Sequence, residues 1–173
     1  WAELERIHDL MEDGDREGAR AAVDALRAGR ADQADLRLLD AQVRLDEGDA
    51  EAALALLSGA ERCADPAEFF ATRASCHHES VHFEAARDDA RQALRIRPEY
   101  AYAWDLLSRI LDHLGEHAEA TEASARAHAL DAEGCPLPLE VPPHEFDALV
   151  ERALAELPEA VRAVVDECPV LVQ

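Results

Sequence analysis

The fold is decided by residues 101–131, which read AYAWDLLSRILDHLGEHAEATEASARAHALD. Trp104, Leu107 and Leu111 recur at the i, i+3 and i+7 spacing of one helix face, so the first half predicts an amphipathic helix. Gly115 follows where the chain must stop and reverse, and glycine readily takes the positive φ of such a stop. Small residues through the second half allow a second helix to approach closely. The stretch therefore predicts two antiparallel helices.

The turn of this helix pair recurs upstream at a nearly fixed interval. Similar turns begin at Gly14, Gly48 and Val81, and the steps from Gly14 to Gly115 are 34, 33 and 34 residues. A helix-turn-helix of this length resembles the tetratricopeptide repeat (TPR). The resemblance implies an all-α protein, a right-handed α-solenoid of about four units in which each helix pair covers its neighbour's apolar face. Val81 replaces the turn glycine, so that turn must either avoid positive φ or carry strain.

The pattern divides the chain into three parts. Residues 1–131 hold the repeats, residues 132–142 form a proline-containing linker, and residues 143–173 form a C-terminal segment with two helices. Asp65 followed by Pro66 predicts an N-cap and a proline at the first helical position. The repeats run over about 1–32, 33–65, 66–98 and 99–131, with helices at about 2–13, 15–28, 34–47, 49–61, 66–79, 82–96, 99–114 and 116–130.

Composition restricts the class of partner. The 38 acidic and 17 basic residues give a formal net charge of −21, which disfavours nucleic acid and anionic membranes. No apolar run approaches the roughly 20 residues of a membrane span, and no basic segment precedes an apolar one at the N-terminus. The sequence does not determine whether a signal peptide was removed before Trp1. All basic residues are arginine, which is typical of a GC-rich bacterial genome.

Cysteine and histidine residues do not form a recognisable site. The four cysteines lie far apart without C-x-x-C pairing, which favours small buried residues in a reducing cytoplasm over disulfides or zinc ligands. Cys76-His77-His78-Glu79 invites a metal interpretation, but adjacent helical residues point about 100° apart. We therefore expect no cofactor in this chain. The cysteines are Cys63, Cys76, Cys135 and Cys168.

The C-terminal segment allows two interpretations. It caps the last repeat, whose outer face would otherwise be exposed, or it begins another domain. Residues 145–159, with the strand-like residues 169–172, resemble the opening helix, proline break and first strand of a bacterial family of minimal zincin-like metallopeptidases. Such enzymes need H-E-x-x-H, in which two histidines bind zinc and glutamate is the general base. His144-Glu145 lacks the second histidine, so only a downstream domain would supply zinc chemistry.

The TPR resemblance also implies which residues line the concave groove. Some repeats of this kind grip a peptide carboxylate with lysine and asparagine, but this chain has neither and places Asp105 and Ala71 where a lysine would sit. We expect a neutral or basic peptide or protein segment instead, bound more weakly at acid pH once His78 and His113 are protonated. The implied groove residues are Leu38, Gln42, Asp46, Ala71, Ser75, His78, Glu79, Asp105, Arg109, Asp112 and His113.

The expected function is therefore non-catalytic protein recognition. The alternative is that these repeats form the N-terminal portion of a zinc metallopeptidase whose catalytic part lies downstream. The chain itself contains no recognisable nucleophile elbow and no H-E-x-x-H. The sequence does not determine the oligomeric state or name the partner.

Overall fold

The computed structural model describes residues 2–30, 34–137, 141–158 and 161. Over these residues the secondary structure is entirely helical, which confirms the predicted all-α class. Of the predicted helix after Pro158 only Val161 is described, and it is helical, whereas the predicted strand at 169–172 lies outside the described residues. The helices are α1 (Ala2–Glu12), α2 (Arg16–Arg30), α3 (Ala34–Asp46), α4 (Ala50–Leu57), α5 (Pro66–Glu79), α6 (Phe83–Ile96), α7 (Ala101–His113), α8 (His117–Leu130) and α9 (Pro143–Glu156).

The chain divides into two compact units. Unit 1 is Trp1–Leu137 and contains α1 to α8, whereas unit 2 is Pro138–Gln173 and contains α9. The division falls inside the predicted linker, residues 132–142. The limits of the individual repeats stay predictions.

Unit 1 is an α-solenoid, as the repeat pattern predicts. Each first helix packs on the second helix of its own hairpin, and each second helix packs on the first helix of the next hairpin. The first helices also contact one another in chain order, α1 with α3, α3 with α5 and α5 with α7. Contacts between consecutive hairpins are what a stacked repeat requires.

Small side chains make this stacking possible. Ala71, Ala74, Ala86, Ala90 and Ala103 are all fully buried in the cluster that joins α5, α6 and α7. An alanine at a helix contact lets two backbones approach closely, and larger residues such as leucine fill the remaining space. The predicted use of small residues at the helix contacts is therefore confirmed.

The turns inside the four hairpins of unit 1 share a positive φ at one residue. The φ angles are 74° at Gly14, 84° at Gly48 and 77° at Gly115, and the valine at the third turn also has a positive φ, 62°. Val81 therefore adopts a conformation that a β-branched residue rarely takes, so the third turn carries the predicted strain. The Val81 side chain is 68% exposed, so burial does not offset this cost.

Helix α4 is shorter than predicted, whereas the start of α5 is as expected. Helix α4 ends at Leu57 instead of about residue 61, because Ser58 leaves the helical conformation and Gly59 takes a φ of 133°. At α5 the Asp65 side chain accepts a hydrogen bond from the Glu68 backbone N–H at 3.1 Å, and Pro66 occupies the first turn. This confirms the predicted N-cap.

Two buried carboxylates tie neighbouring helices together. Asp40 of α3 accepts hydrogen bonds from Arg20 and Arg27 of α2 at 2.7 and 2.8 Å. Asp89 of α6 accepts two bonds of 2.7 Å from Arg73 of α5. Because the Arg73–Asp89 pair is bidentate, it fixes both the distance and the orientation of α5 against α6, whereas Asp40 joins α3 to α2 through one bond from each of two arginines.

Two further predictions from the sequence concern the state of the cysteines and the absence of a membrane-spanning segment. Cys63, Cys76 and Cys135 are free and buried, as expected of small core residues, and Cys168 lies outside the described residues. Burial raises the pKa of the Cys76 thiol to about 12, so this thiol is unreactive at neutral pH. None of the described helices is long and apolar enough to cross a membrane.

Candidate binding groove

The candidate site lies on the surface formed by the first helices α1, α3, α5 and α7, which we call the inner face. These helices contact one another in series, so each contributes one row of side chains to a continuous surface. At its centre is a pocket of about 350 Å³, here called the tyrosine pocket. Its lining residues are His8, Met11, Glu12, Gln42, Leu45, Asp46, Glu68, Thr72, Tyr100 and Tyr102.

A hydrogen-bonded carboxylate forms one wall of the tyrosine pocket. Gln42 Nε2 donates to Glu68 Oε1 at 2.7 Å and lies 3.3 Å from Thr72 Oγ1. The Tyr100 hydroxyl donates to Glu68 Oε2 at 2.7 Å. Burial raises the pKa of Tyr100, and the negative charge of Glu68 raises it further, so the phenol stays protonated. Glu68 is thus bonded to two neutral donors, and Arg97 interacts with its charge electrostatically.

The second tyrosine is fixed through a buried serine. Ser75 Oγ donates to the Ala71 carbonyl at 3.1 Å, and the Tyr102 hydroxyl lies 2.8 Å from the same Ser75 oxygen. Because the serine proton is already used, Tyr102 is the donor in the second bond. The hydroxyl is anchored while the residue as a whole remains 43% exposed, so part of the ring is accessible to a ligand.

Asp46 is a carboxylate of the tyrosine pocket without a bonded partner among the described residues. It makes no hydrogen bond or ion pair with any described residue. Burial raises the pKa of Asp46, and the more distant Arg16 opposes this effect only in part. A cation in the pocket would therefore stabilise the ionised carboxylate.

Further along the inner face, two histidines and a phenylalanine form an aromatic cluster. The His78 and His113 ring centroids are 5.3 Å apart, and Phe83 stacks on His113 at 4.5 Å. His78 Nε2 is buried and has no hydrogen-bond partner. Burial lowers the pKa of His78, Arg109 and His113 lower it further, and Glu79 raises it, so the neutral imidazole is favoured.

The charges near this cluster are partly paired. Arg109 lies 3.1 Å from Asp105 one turn away, and Asp112 lies 3.0 Å from His117. Glu79 lies 3.5 Å from His78. Since Arg109 is matched by Asp105, this part of the inner face also carries an excess of negative charge.

The predicted groove residues fall into three groups. Gln42 and Asp46 lie in the tyrosine pocket, and His78, Glu79, Asp105, Arg109, Asp112 and His113 lie around the aromatic cluster. Leu38 and Ala71 are buried at 6% and 0% exposure, and Ser75 is buried behind Tyr102. Whether any of these residues contacts a partner stays a prediction.

Sequence reasoning missed most of the tyrosine pocket. Glu68 is the third residue of α5 and Tyr102 the second of α7, and the two lie one repeat step of 34 residues apart, which could have identified them as equivalent positions. Tyr100 precedes α7, so the repeat pattern does not assign it to this face. His8, Met11 and Glu12 were missed because the apolar positions of the first unit are shifted against its turn glycine.

Metal binding finds no support in the described parts of the chain. Over residues 2–30, 34–137, 141–158 and 161, no group of three or more His, Cys, Asp or Glu side chains is placed to hold a metal ion.

Comparison with known proteins supports the fold. No protein-family profile matches the sequence, and no curated protein matches it significantly. Solved structures do match. MamA has 22% identity and a TM-score of 0.59 over 72% of this chain and 73% of its own. PilF of Pseudomonas aeruginosa is 17% identical with a TM-score of 0.64, and the match covers 76% of this chain and 60% of PilF. A fragment of MamA from Desulfovibrio magneticus is 17% identical with a TM-score of 0.62, and the match covers 75% of this chain and 74% of the fragment.

These structural neighbours are TPR proteins, so the chain has the TPR fold. At such low identity the likeness concerns the fold alone. It gives no support to the zincin-like resemblance of the C-terminal segment, which stays a prediction.

Proposed function

We propose that unit 1 is a non-catalytic recognition module that binds an extended, neutral or basic protein segment along its inner face. The observation that carries this proposal is the tyrosine pocket, to which three successive first helices and the start of a fourth contribute. A ligand crossing it would contact four hairpins at once. Such a surface suits a peptide strand better than a small substrate, since no nucleophile or metal cluster is found there among the described residues.

The charge of the inner face determines the preferred partner. Glu12, Asp46, Glu68, Glu79 and Asp112 all lie on it, whereas Arg109 is matched by Asp105. Electrostatic complementarity of this kind speeds association and selects against acidic partners more than it increases affinity. A basic segment is therefore favoured over a neutral one, and an acidic segment is excluded.

Fluorescence anisotropy with synthetic peptides tests the proposal. The probes are labelled peptides of Ala, Gly, Ser and Leu with arginine, glutamine or glutamate at the same alternate positions. We expect affinity for the full chain to fall from arginine to glutamine to glutamate. The difference should shrink between about 0.01 M and 1 M salt, over which the Debye length falls from about 30 to 3 Å.

A charge-matched pair of variants locates the binding face. Glu79→Gln with Asp112→Asn removes two charges from the inner face, and Asp24→Asn with Glu84→Gln removes two from exposed positions on second helices. We expect only the first pair to weaken binding of the arginine peptide. Affinity that rises with salt, or equal loss in both pairs, would refute the proposal.

A further inference from the structure

The tyrosine pocket differs chemically from the rest of the inner face. Its walls combine the rings of Tyr100 and Tyr102 with the apolar side chains of Met11 and Leu45. At about 350 Å³ it lies near the lower end of the range for ligand pockets, about 300 to 1,000 Å³, so it suits one side chain of a bound segment. The mixture of aromatic, aliphatic and carboxylate groups indicates what kind of side chain that is.

The walls are fixed before any ligand arrives. Tyr100 is bonded to Glu68 of α5, Glu68 to Gln42 of α3, and Tyr102 of α7 to Ser75 of α5. Each bond crosses from one hairpin to another, so rotating one side chain would break a contact between repeats. A pocket with such preset walls loses little conformational entropy when it is filled.

Neither Asp46 nor Glu68 is hydrogen-bonded to a cation among the described residues, and Arg16 and Arg97 act on them only electrostatically. Asp46 makes no ion pair with the described residues, and Glu68 is bonded to an amide and a phenol, both neutral. Arg97, which follows α6, is paired with Asp65 and covers the Tyr100 ring at 4.8 Å. His8 is the one basic side chain among the lining residues. The negative charges of Asp46 on α3 and Glu68 on α5 therefore lie beside the rings of the two tyrosines.

We propose that the tyrosine pocket receives a single arginine side chain of the bound segment. The guanidinium stacks on the exposed face of Tyr102 and donates hydrogen bonds to Asp46 and Glu68. The planar guanidinium has five N–H donors, so it can hydrogen-bond to carboxylates on two helices while it stacks on the tyrosine ring. A lysine ammonium is not planar and cannot do both. This inference rests on the proposed function, because it names the residue that anchors the segment.

Chemical-shift titration of the full chain with single-residue probes tests the pocket directly. The probes are N-acetyl-arginine N-methylamide and its citrulline and lysine counterparts, since citrulline keeps the shape of arginine without the charge. We expect the arginine probe to cause saturable shifts around Asp46, Glu68 and Tyr102, and the citrulline probe to cause none. The lysine probe should bind more weakly than the arginine probe.

Variants then separate charge from stacking. Asp46→Asn should raise the Kd of the arginine probe about tenfold, whereas Asp24→Asn, at an exposed position on α2 away from the inner face, should leave it unchanged. Tyr102→Leu should weaken binding and Tyr102→Phe should preserve it, since only the leucine variant removes the ring. Asp46 makes no hydrogen bond or ion pair with the described residues and asparagine has the same shape, so a denaturation curve matching that of the native chain shows that this variant reports on ligand binding.

The outcomes distinguish this inference from the broader proposal. Equal shifts with arginine and citrulline, equal affinity for arginine and lysine, or an unchanged Kd in Asp46→Asn would refute the arginine pocket. If the basic peptides bind the inner face but tolerate citrulline at every position, the pocket assignment fails and the recognition module stands. If the arginine probe binds while no peptide does, the pocket assignment stands and the recognition module fails.

Discussion

Val81 is the residue at which the repeat pattern and the backbone disagree. Its φ of 62° matches the glycines of the other turns, but a left-handed conformation costs an L-residue with a Cβ about 1 to 2 kcal/mol. Val81→Gly should therefore raise the free energy of unfolding by about 1 kcal/mol, after the larger entropy of glycine in the unfolded chain is subtracted. Chemical denaturation of both proteins measures the difference.

The reverse substitution at the fourth turn is the matched control. Gly115 has a φ of 77°, and a Cβ built there meets no atom within 4 Å, so Gly115→Val introduces backbone strain without a clash. We expect it to lower stability by about 1 to 2 kcal/mol. If both variants left the free energy of unfolding unchanged, the strain assigned to the third turn would be absent.

His77 and His78 make the stability of the repeats depend on pH. Burial lowers the pKa of both: Asp89 opposes the effect at His77, whereas Arg73 and His82 add to it. At His78, Arg109 and His113 lower the pKa and Glu79 raises it. A histidine with a folded pKa below the unfolded value of about 6.5 binds fewer protons when folded, so stability is lost as pH falls through that value.

We therefore expect the free energy of unfolding to fall between about pH 7.5 and 5.5, above the range in which carboxylates titrate. A His77→Gln, His78→Gln double variant should show a shallower fall, whereas His144→Gln in α9 should follow the native profile. Denaturation at several pH values measures both. Identical profiles for the double variant and the native chain would contradict this. Protonation of His78 should also weaken binding of basic peptides, because it adds positive charge to the inner face.

At the scale of elements, one buried carboxylate joins α2 to α3. Asp40 is 1% exposed and accepts hydrogen bonds from Arg20 and Arg27, while Arg20 also pairs with Glu47 at 2.7 Å. Asp40→Ala would leave Arg20 largely buried with one partner fewer. Because removing one member of a buried ion pair strands the other charge, we expect a loss of about 2 to 4 kcal/mol, reduced by the exposure of Arg27.

Asp24→Ala, at an exposed position on α2, is the control and should change stability by less than about 0.5 kcal/mol. Urea denaturation with a constant m-value would show that both variants unfold in the same way. A loss for Asp40→Ala as small as that of the control would mean that apolar packing alone holds these helices together.

Helix positions followed from the sequence because the signals that set them are local. Turn glycines, the Asp65 N-cap and apolar stripes act within one or two helical turns, and the helices begin and end close to the predicted residues. The exception is α4, which ends at Leu57 because Ser58 and Gly59 leave the helix. The apolar run around Leu56 and Leu57 masked that stop.

At the scale of the whole repeat unit, the solenoid was predictable and the pocket was not. A repeat period near 34 residues implies that each hairpin packs against a similar hairpin. It therefore predicts the stacking of the hairpins, but not the side-chain contacts between them. The tyrosine pocket depends on contacts such as Tyr100 with Glu68 and Gln42 with Glu68, which join residues 32 and 26 positions apart. Their pairing follows from how successive hairpins are oriented, which no local pattern encodes.

The chain of bonds from Gln42 through Glu68 to Tyr100 has a mechanical consequence. It runs across three consecutive hairpins, so bending the array at this point would require at least one of these bonds to lengthen or break. An array braced at that point can flex more readily on either side of it than through it. A ligand that bonds to Glu68 would compete for the same carboxylate oxygens and so would change how firmly these three hairpins are held together.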